Sequence, residues 1–170
     1  MAKNSLGGKN PRDNARSGFA LVRGAYVLVC DGAKAFILKN GGTPAAPDLQ
    51  TIAEVHHTSR RTSEMGTDAP GRAFASVGTQ RSNMEQTDWH AREETKFLDH
   101  LAAKLEKMRQ AGEFDALVVV APPHAMGELR RALSPRLRAI TRAEVEKDYV
   151  NEPLPRLAQH LRAALHDLGK

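Results

Sequence analysis

Four arginines share a polar, glycine-containing stretch, residues 58–87, that contains no lysine: Arg60, Arg61, Arg72 and Arg81. Arginine is preferred to lysine where a planar group must contact phosphate or carboxylate through two hydrogen bonds. Four acids lie in or beside the same stretch: Glu64, Asp68, Glu85 and Asp88. The pattern therefore predicts either a segment that contacts a phosphate-bearing partner or arginines that pair internally with these carboxylates, and both interpretations stay open.

Histidines next to carboxylates are the second group with possible chemistry. His90 and Glu94 are four residues apart, a spacing at which two helical side chains can share a proton or a metal ion. His56 and His57 end a predicted strand, where successive side chains point to opposite faces, so they do not make a simple ligand pair. Surface positions are the simpler interpretation, and we expect no metal ion and no cofactor.

A third group follows the apolar run Leu117–Val120, where Pro122 and Pro123 stop a predicted strand. In open α/β sheets, ligands gather beyond the carboxyl ends of strands. His124 and Arg130 are therefore candidate partner-binding residues, although the prolines alone could account for the segment. The chain has no G-x-S-x-G elbow, no Walker loop and no G-x-G-x-x-G fingerprint, so nucleophilic catalysis and nucleotide binding have no motif here.

The elements that must position these residues follow from apolar periodicity and turn signals. Strands are predicted at 25–30, 34–39, 48–57, 117–120 and 139–146, and helices at 88–110, at 124–133 and from 153 onward. Asp88, or a capping box that begins at Ser82, starts the long helix, and Gly112 ends it. Strand–helix–strand crossovers in the second half imply parallel neighbours there, after an antiparallel first half. We therefore predict an α/β fold, a mixed sheet with helices on both faces.

Composition bounds the rest of the interpretation. At 170 residues with a net charge of +5, the chain is predicted to form one domain over residues 19–170, preceded by a disordered basic tail at residues 1–18. Because ordering residues 58–87 costs about 1–2 kcal/mol per residue in backbone entropy, we expect that this loop becomes ordered only when it binds a partner.

Cys30, the only cysteine, ends an apolar run and is expected to be a core thiol. We see no membrane segment, no export signal and no basis for DNA sequence readout, so we expect a cytoplasmic protein.

Three patches together resemble the bacterial host attachment protein family: LVCDGAKAFIL, GTDAPGRAFASVGTQRSNMEQTDWHAREETKFLDHLA and LVVVAPPHAMGELRRALSP. The resemblance runs from about Ala25 to the C-terminus. Its distinctive points are the Asp31-Gly32-Ala33 turn, the Asp68-x-x-Gly71-Arg72 segment and the Ala121-Pro122-Pro123 strand end. The family is similar in fold to the central domain of archaeal and eukaryotic class-1 peptide release factors, which is related to the ribonuclease H architecture.

The resemblance implies a role for the segment Gly78-Thr79-Gln80, which corresponds to the Gly-Gly-Gln tip that release factors carry on a loop before a long helix. There the glutamine backbone amide orients water on the peptidyl-tRNA ester, so Gln80, Gly78 and Thr79 are the implied catalytic residues. Thr79 departs from the pattern, since a β-branched residue resists the positive φ that glycine allows.

Three functions follow as hypotheses. The first is a release-factor-like module that binds the ribosome or tRNA through residues 58–87, with or without hydrolysis of the peptidyl-tRNA ester. The second is a non-catalytic interaction protein that acts indirectly in attachment to host cells. The third is a hydrolase or metal enzyme that uses His90, Glu94 or His124. The sequence leaves the oligomeric state open.

Overall fold

The computed structural model describes residues 20–57 and 79–168, and for residues 79–88 it describes the backbone alone. The predicted tail at residues 1–18 and most of the predicted loop therefore lie outside the described residues. The elements, in chain order, are β1 (Tyr26–Cys30), β2 (Lys34–Asn40), β3 (Leu49–His56), α1 (Thr79–Gln110), β4 (Leu117–Ala121), α2 (Pro123–Ala132), α3 (Pro135–Ile140), β5 (Thr141–Glu146) and α4 (Leu154–Leu168).

The five strands form one mixed sheet in the order β3-β2-β1-β4-β5. β2 is antiparallel to both of its neighbours, whereas β1 pairs with β4, and β4 with β5, in parallel. This confirms the predicted antiparallel first half and parallel second half. Because β2 is the one strand of this sheet that runs the other way, β1, β3, β4 and β5 all end at the same edge. We call this edge the carboxyl edge.

Helices cover both faces of the sheet, as predicted. Side chains alternate along the central strands, so Leu28 of β1 packs beneath α1, α2 and α3, whereas Val27 and Val29 pack beneath α4. Every residue of β1 and of β4 is buried, which is expected for central strands covered on two sides. Cys30 is fully buried in this core, which confirms the predicted core thiol. Burial, followed by the nearby charges of Asp31 and Glu94, raises the pKa of that thiol to about 12.

The first turns of α1 correct one prediction. The helix begins at Thr79, earlier than either predicted start, Asp88 or Ser82, so the predicted loop over residues 58–87 was wrong for residues 79–87. Those residues carry no apolar stripe, and the periodicity of the sequence therefore gave no helical signal. They also contain no glycine or proline, so a helix nucleated by the packed residues further along can extend through them. Gly112, which was predicted to end α1, lies just beyond its carboxyl end and has a left-handed backbone conformation, with a φ of +74°.

A short helix before β5 was missed. The sequence predicted a turn at Pro135 and a strand from residue 139, whereas α3 continues to Ile140 and β5 begins at Thr141. The Ser134 hydroxyl accepts a hydrogen bond from the backbone N–H of Leu137 at 3.1 Å, and Pro135 occupies the first turn, so a cap and a favourable first residue start this helix. The same hydroxyl donates to Glu106 of α1 at 2.8 Å.

One buried polar side chain fixes the chain around the end of β2. Asn40 donates from Nδ2 to the carbonyl of Leu21 at 2.8 Å, and its Oδ1 accepts from the backbone N–H groups of Gly42 and Asp48 at 3.0 and 2.9 Å. It is completely buried. This amide therefore satisfies backbone groups from three separate segments, which the hydrophobic pattern of the sequence could not indicate.

Candidate partner-binding site at the carboxyl edge

The amino-terminal half of α1 extends past the carboxyl edge. Phe97 is the first described residue of α1 that packs in the core, and 18 residues of helix precede it, which corresponds to roughly 27 Å. Residues 89–92 are all exposed. We call residues 79–96 the projecting half of α1. β3 ends at the carboxyl edge, whereas β4 starts at the opposite edge, and α1 lies between these two strands in the chain. The projecting half, which comes first in α1, therefore lies at the carboxyl edge.

Glu93 is the first anchor of the projecting half. Its carboxylate lies 3.1 Å from Nε2 of His57, which directly follows β3, and it accepts a hydrogen bond from Lys96 Nζ at 2.9 Å. The hydrogen bond from Lys96, followed by that of His57, lowers the pKa of Glu93. The His57 ring also meets the Phe97 ring edge to face at 6.1 Å. The end of β3 and the helix are thus held together by one hydrogen-bonding contact and one aromatic contact.

Glu94 is the second anchor and belongs to the neighbouring strands. Its Oε1 lies 3.1 Å from Nδ1 of His124, at the start of α2 and just beyond β4. The same carboxylate rests on Gly32 in the turn after β1, where a side chain would overlap it. Glu93 and Glu94 therefore tie the helix to the ends of β1, β3 and β4, and these contacts set the direction in which the projecting half leaves the sheet.

Trp89 is the most prominent group on the projecting half. It is 47% exposed, an unusual position for so large an apolar side chain, and its ring meets His90 edge to face at 5.8 Å. Arg92 is three residues further on and exposed, so the two side chains are neighbours on the helix surface. Among the described residues, no carboxylate pairs with the Arg92 guanidinium. An indole next to an exposed guanidinium can stack on a planar group and contact an anion beside it.

The residues that the sequence singled out are distributed unevenly. Gly78, Arg60, Arg61 and Arg72 lie outside the described residues. Thr79, Gln80 and Arg81 lie in the first turn of α1, where the backbone alone is described, and not on the loop tip that the resemblance implied. The helix continues without a break from these three residues to Trp89, so their backbone belongs to the projecting half.

His124 and Arg130 lie on α2 but do not share a site. His124 is at the carboxyl edge with Glu94, whereas the guanidinium of Arg130 donates to Glu144 at 2.6 Å and to Glu146 at 2.9 Å. These two β5 carboxylates, Glu144 first, raise the pKa of Arg130. Arg130 therefore joins α2 to β5 through bonds that any partner would have to replace.

The structure shows which side chain each candidate histidine contacts. Glu94 contacts His124 and not His90, so the alternative pairing four residues apart on the helix does not occur, and His90 is exposed, as the simpler interpretation expected. His56 lies 2.7 Å from Glu54, whereas His57 contacts Glu93, so the two adjacent histidines have different partners.

Within residues 20–57 and 79–168, no group of three His, Cys, Asp or Glu side chains is arranged to hold a metal ion. No helix in the same part of the chain is long and apolar enough to cross a bilayer.

Sequence reasoning missed His57, Glu93, Lys96 and Trp89 as members of this site. Lys96 contacts Glu93 from three residues further along α1, whereas His57 and Glu93 meet through a tertiary contact across 36 residues of chain. No spacing rule covers such a distance. Trp89 did carry a signal, because a lone tryptophan within a polar run has no apolar neighbours with which to be buried.

The fold and this edge define a class of protein: a single open α/β sheet of mixed direction that holds out one long helix. Residues 26–161 match the family model described as "Protein required for attachment to host cells". The chain belongs to this family. None of the curated proteins compared with it matches.

Two solved structures are similar to the chain at low identity. The crystal structure of an archaeal translation termination factor, aRF1, is 15% identical, with a TM-score of 0.39, and the match covers 84% of this chain and 36% of that one. A second, described as an archaeal protein, is 14% identical, with a TM-score of 0.36 and coverage of 92% and 38%. The chain thus spans little more than a third of either structure.

Proposed function

We propose that this member of the host attachment family is a cytoplasmic RNA-contacting module that engages the ribosome or tRNA through the projecting half of α1 and residues 58–78 before it. The observation that carries the proposal is the position of Trp89 and Arg92. They are side by side and exposed on a helix that extends away from the sheet. Aromatic stacking on an unpaired base contributes about 1–3 kcal/mol.

The charges of the projecting half support contact with a phosphate backbone over a short distance. Of its acids, Glu93 and Glu94 are occupied by Lys96, His57 and His124. Arg92 is exposed, and among the described side chains no carboxylate pairs with it. The segment before the helix adds Arg60, Arg61 and Arg72, and Arg81 follows in its first turn. Because Glu64, Asp68, Glu85 and Asp88 offset this charge, we expect stacking and a few bidentate contacts to dominate over a general electrostatic attraction.

Sedimentation with ribosomes tests the proposal. The variant that combines Trp89→Ala and Arg92→Ala should bind at least tenfold more weakly than the parent protein, whereas Trp89→Phe, which keeps a stacking ring, should retain most of the affinity. Lys107→Ala removes an exposed cation from the other end of α1 and should have no effect. Binding should also fall roughly tenfold or more between about 50 and about 200 mM salt. No ribosome association at any salt concentration, or equal binding of the double variant, would exclude the proposal.

Hydrolysis of the peptidyl-tRNA ester is the catalytic form of this proposal, and Gln80, with Gly78 and Thr79, would carry it. The implied role belongs to the backbone amide of Gln80, so Gln80→Ala should leave most of the activity intact while Gln80→Pro, which lacks the N–H, should abolish it. Release of a labelled peptide from peptidyl-tRNA on ribosomes measures this. Equal rates with and without the protein would restrict the function to binding.

A second candidate function is a protein–protein contact that acts indirectly in attachment to host cells. The observation that favours it is the balance of charge on the projecting half, since the acids there would repel a phosphate backbone. An exposed tryptophan beside an arginine also suits a protein interface, where both are enriched. Crosslinking from position 89 in cells separates the two candidates: crosslinks to RNA support the first, and crosslinks to protein that persist after nuclease treatment support the second.

A further inference from the structure

A strongly basic stretch lies outside the site at the carboxyl edge. Residues 129–143, between Glu128 and Glu144, contain no acid and no lysine. The stretch covers the last turn of α2, all of α3 and the start of β5. It contains five arginines, which are all exposed: Arg130, Arg131, Arg136, Arg138 and Arg142. Because no acid interrupts this run, it concentrates positive charge at one place on the surface.

Four acids border the basic stretch on α1, α2 and β5, and all four are paired. Each of them binds an arginine: Glu106 binds Arg109, Glu128 binds Arg131, and Glu144 and Glu146 both bind Arg130. These contacts account for two of the five arginines of the stretch, and they leave none of the four carboxylates for the other three.

The other three arginines are Arg136, Arg138 and Arg142. Among the described residues, no carboxylate pairs with any of these guanidinium groups. Arg138 donates a hydrogen bond from Nη1 to the backbone carbonyl of Arg130 at 3.4 Å, which leaves its charge in place. We call Arg136, Arg138 and Arg142 the arginine patch. Exposed guanidinium groups of this kind can bind phosphate through two parallel hydrogen bonds.

The arginine patch lies on the same side of the sheet as α1. Residues two apart in a strand point to one face, so Arg142 shares the face of Glu144, which contacts α2. α2 starts just beyond the carboxyl edge, whereas β5 starts at the opposite edge, so the patch lies toward that opposite edge. The projecting half of α1 and the arginine patch are therefore at the two ends of one side of the protein.

The separation of the two surfaces follows from the lengths of the elements between them. The five residues of β4 span roughly 17 Å. Trp89 precedes Phe97, the first described core residue of α1, by roughly 12 Å of helix. Trp89 and the patch are therefore separated by a distance on the order of 30 Å.

We propose that the arginine patch is a second contact surface for RNA, and that it binds the phosphate backbone of the same molecule that Trp89 and Arg92 contact. The inference rests on the RNA-contacting function and specifies the size of its partner. The partner is a large folded RNA that reaches both ends of this side of the protein, and a short oligonucleotide can occupy only one of them. Contacts from the patch go to phosphates, so they position the RNA without reading its sequence.

The salt dependence of ribosome binding tests the patch separately from Trp89 and Arg92. Each phosphate contact adds roughly 0.7–0.9 to the slope of log affinity against log salt concentration. The variant that combines Arg136→Ala, Arg138→Ala and Arg142→Ala should therefore lower this slope by about 2 and weaken binding at least tenfold at about 50 mM salt. The variant that combines Trp89→Ala and Arg92→Ala removes one cation, so it should weaken binding but lower the slope by no more than about 1.

Two triple variants are the matched controls. Replacing the three patch arginines by lysine keeps their charges and should keep the slope. Replacing three exposed arginines elsewhere by alanine, Arg23, Arg156 and Arg162, changes the net charge equally and should leave the slope as in the parent protein. Thermal unfolding of each variant checks that the fold is intact.

The outcomes distinguish this inference from the proposed function. If the parent protein binds ribosomes and the patch variant has the same slope, the second surface is excluded while the function of the projecting half stands. Equal losses of slope in both alanine triple variants would show that only the overall charge matters, which also overturns the patch. No binding by the parent protein at any salt concentration excludes both proposals.

Photocrosslinking identifies what the patch contacts. Ala139 is exposed between the patch residues, so a crosslinking side chain placed there should react with ribosomal RNA. Crosslinks from position 139 to protein alone would overturn the assignment to RNA and would indicate an acidic protein surface instead.

Discussion

The carboxylate of Glu94 lies so close to the backbone of Gly32 that any side chain at position 32 would overlap it. Gly32 follows Asp31, whose Oδ1 accepts hydrogen bonds from the backbone N–H groups of Ala33 and Lys34, both at 2.7 Å. The turn after β1 is therefore held in place by its own aspartate. Because the turn presents no side chain at Gly32, α1 can approach the carboxyl edge and reach His124.

Gly32→Ala should separate Glu94 from His124 without unfolding the protein. The atoms that a new methyl group would meet are at the flexible end of a side chain, so the carboxylate can swing away at a cost of less than about 1 kcal/mol. The His124 ring resonances should then shift toward those of Glu94→Gln, while the melting temperature changes little. A large loss of stability would mean that the backbone of α1, and not the Glu94 side chain, takes up the strain.

Asn40 is predicted to be a major contributor to stability. Asn40→Ala removes two acceptor contacts and two donor contacts, and it leaves the backbone groups of Leu21, Val22, Gly42 and Asp48 without this partner. We expect a loss of about 2–4 kcal/mol in the free energy of unfolding, measured with denaturant. Asn151→Ala, on an exposed residue, is the control and should change it by less than about 0.5 kcal/mol. Equal effects of the two substitutions would contradict the prediction.

The acid sensitivity of the fold should depend on Glu106. Hydrogen bonds from Arg109, then Ser134 and then Gln110, lower the pKa of this carboxyl to about 2 from an ordinary value of 4.5. A carboxyl whose pKa is lower in the folded state stabilises the fold above pH 4.5, and that contribution disappears as the pH falls from 4.5 toward 2. In Glu106→Gln, the free energy of unfolding should therefore depend less on pH in this window.

Asp99→Asn is the matched control for that experiment. Asp99 is exposed on the same helix and has no hydrogen bond or ion pair among the described residues. Its substitution should leave the slope of stability against pH unchanged between pH 4.5 and 2. Equal slopes for the parent protein and Glu106→Gln would show that the contacts with Arg109 and Ser134 do not hold the proton off Glu106 in solution.

The sheet was largely predictable from the sequence, whereas the site was not. Apolar runs and the Asp31-Gly32 turn located the strands. A strand buried on one face shows alternating apolar residues, and a strand buried on both faces shows a continuous apolar run. The contacts of Glu93 and Glu94 could not be located in this way, because they depend on where His57 and His124 lie after the sheet has formed. The opening turns of α1 could not be located because residues 79–87 carry no apolar stripe, so the sequence there gives no helical periodicity.

A proline within the projecting half should separate the role of that half from the stability of the fold. Gln86→Pro removes a backbone donor from a helix interior, which costs about 3 kcal/mol where the helix is packed. Since the first described core residue of α1 is Phe97, the turns before residue 86 can unwind instead, and the free energy of unfolding should fall by less than about 1 kcal/mol. Circular dichroism should show a loss of helix, and ribosome binding should weaken at least tenfold, whereas Gln86→Ala should preserve both the helix content and the binding.

The comparison is Leu101→Ala in the core, which should lower the free energy of unfolding by about 2–5 kcal/mol. A destabilisation by Gln86→Pro as large as that of Leu101→Ala would show that the projecting half is packed against the rest of the protein and is not presented to a partner.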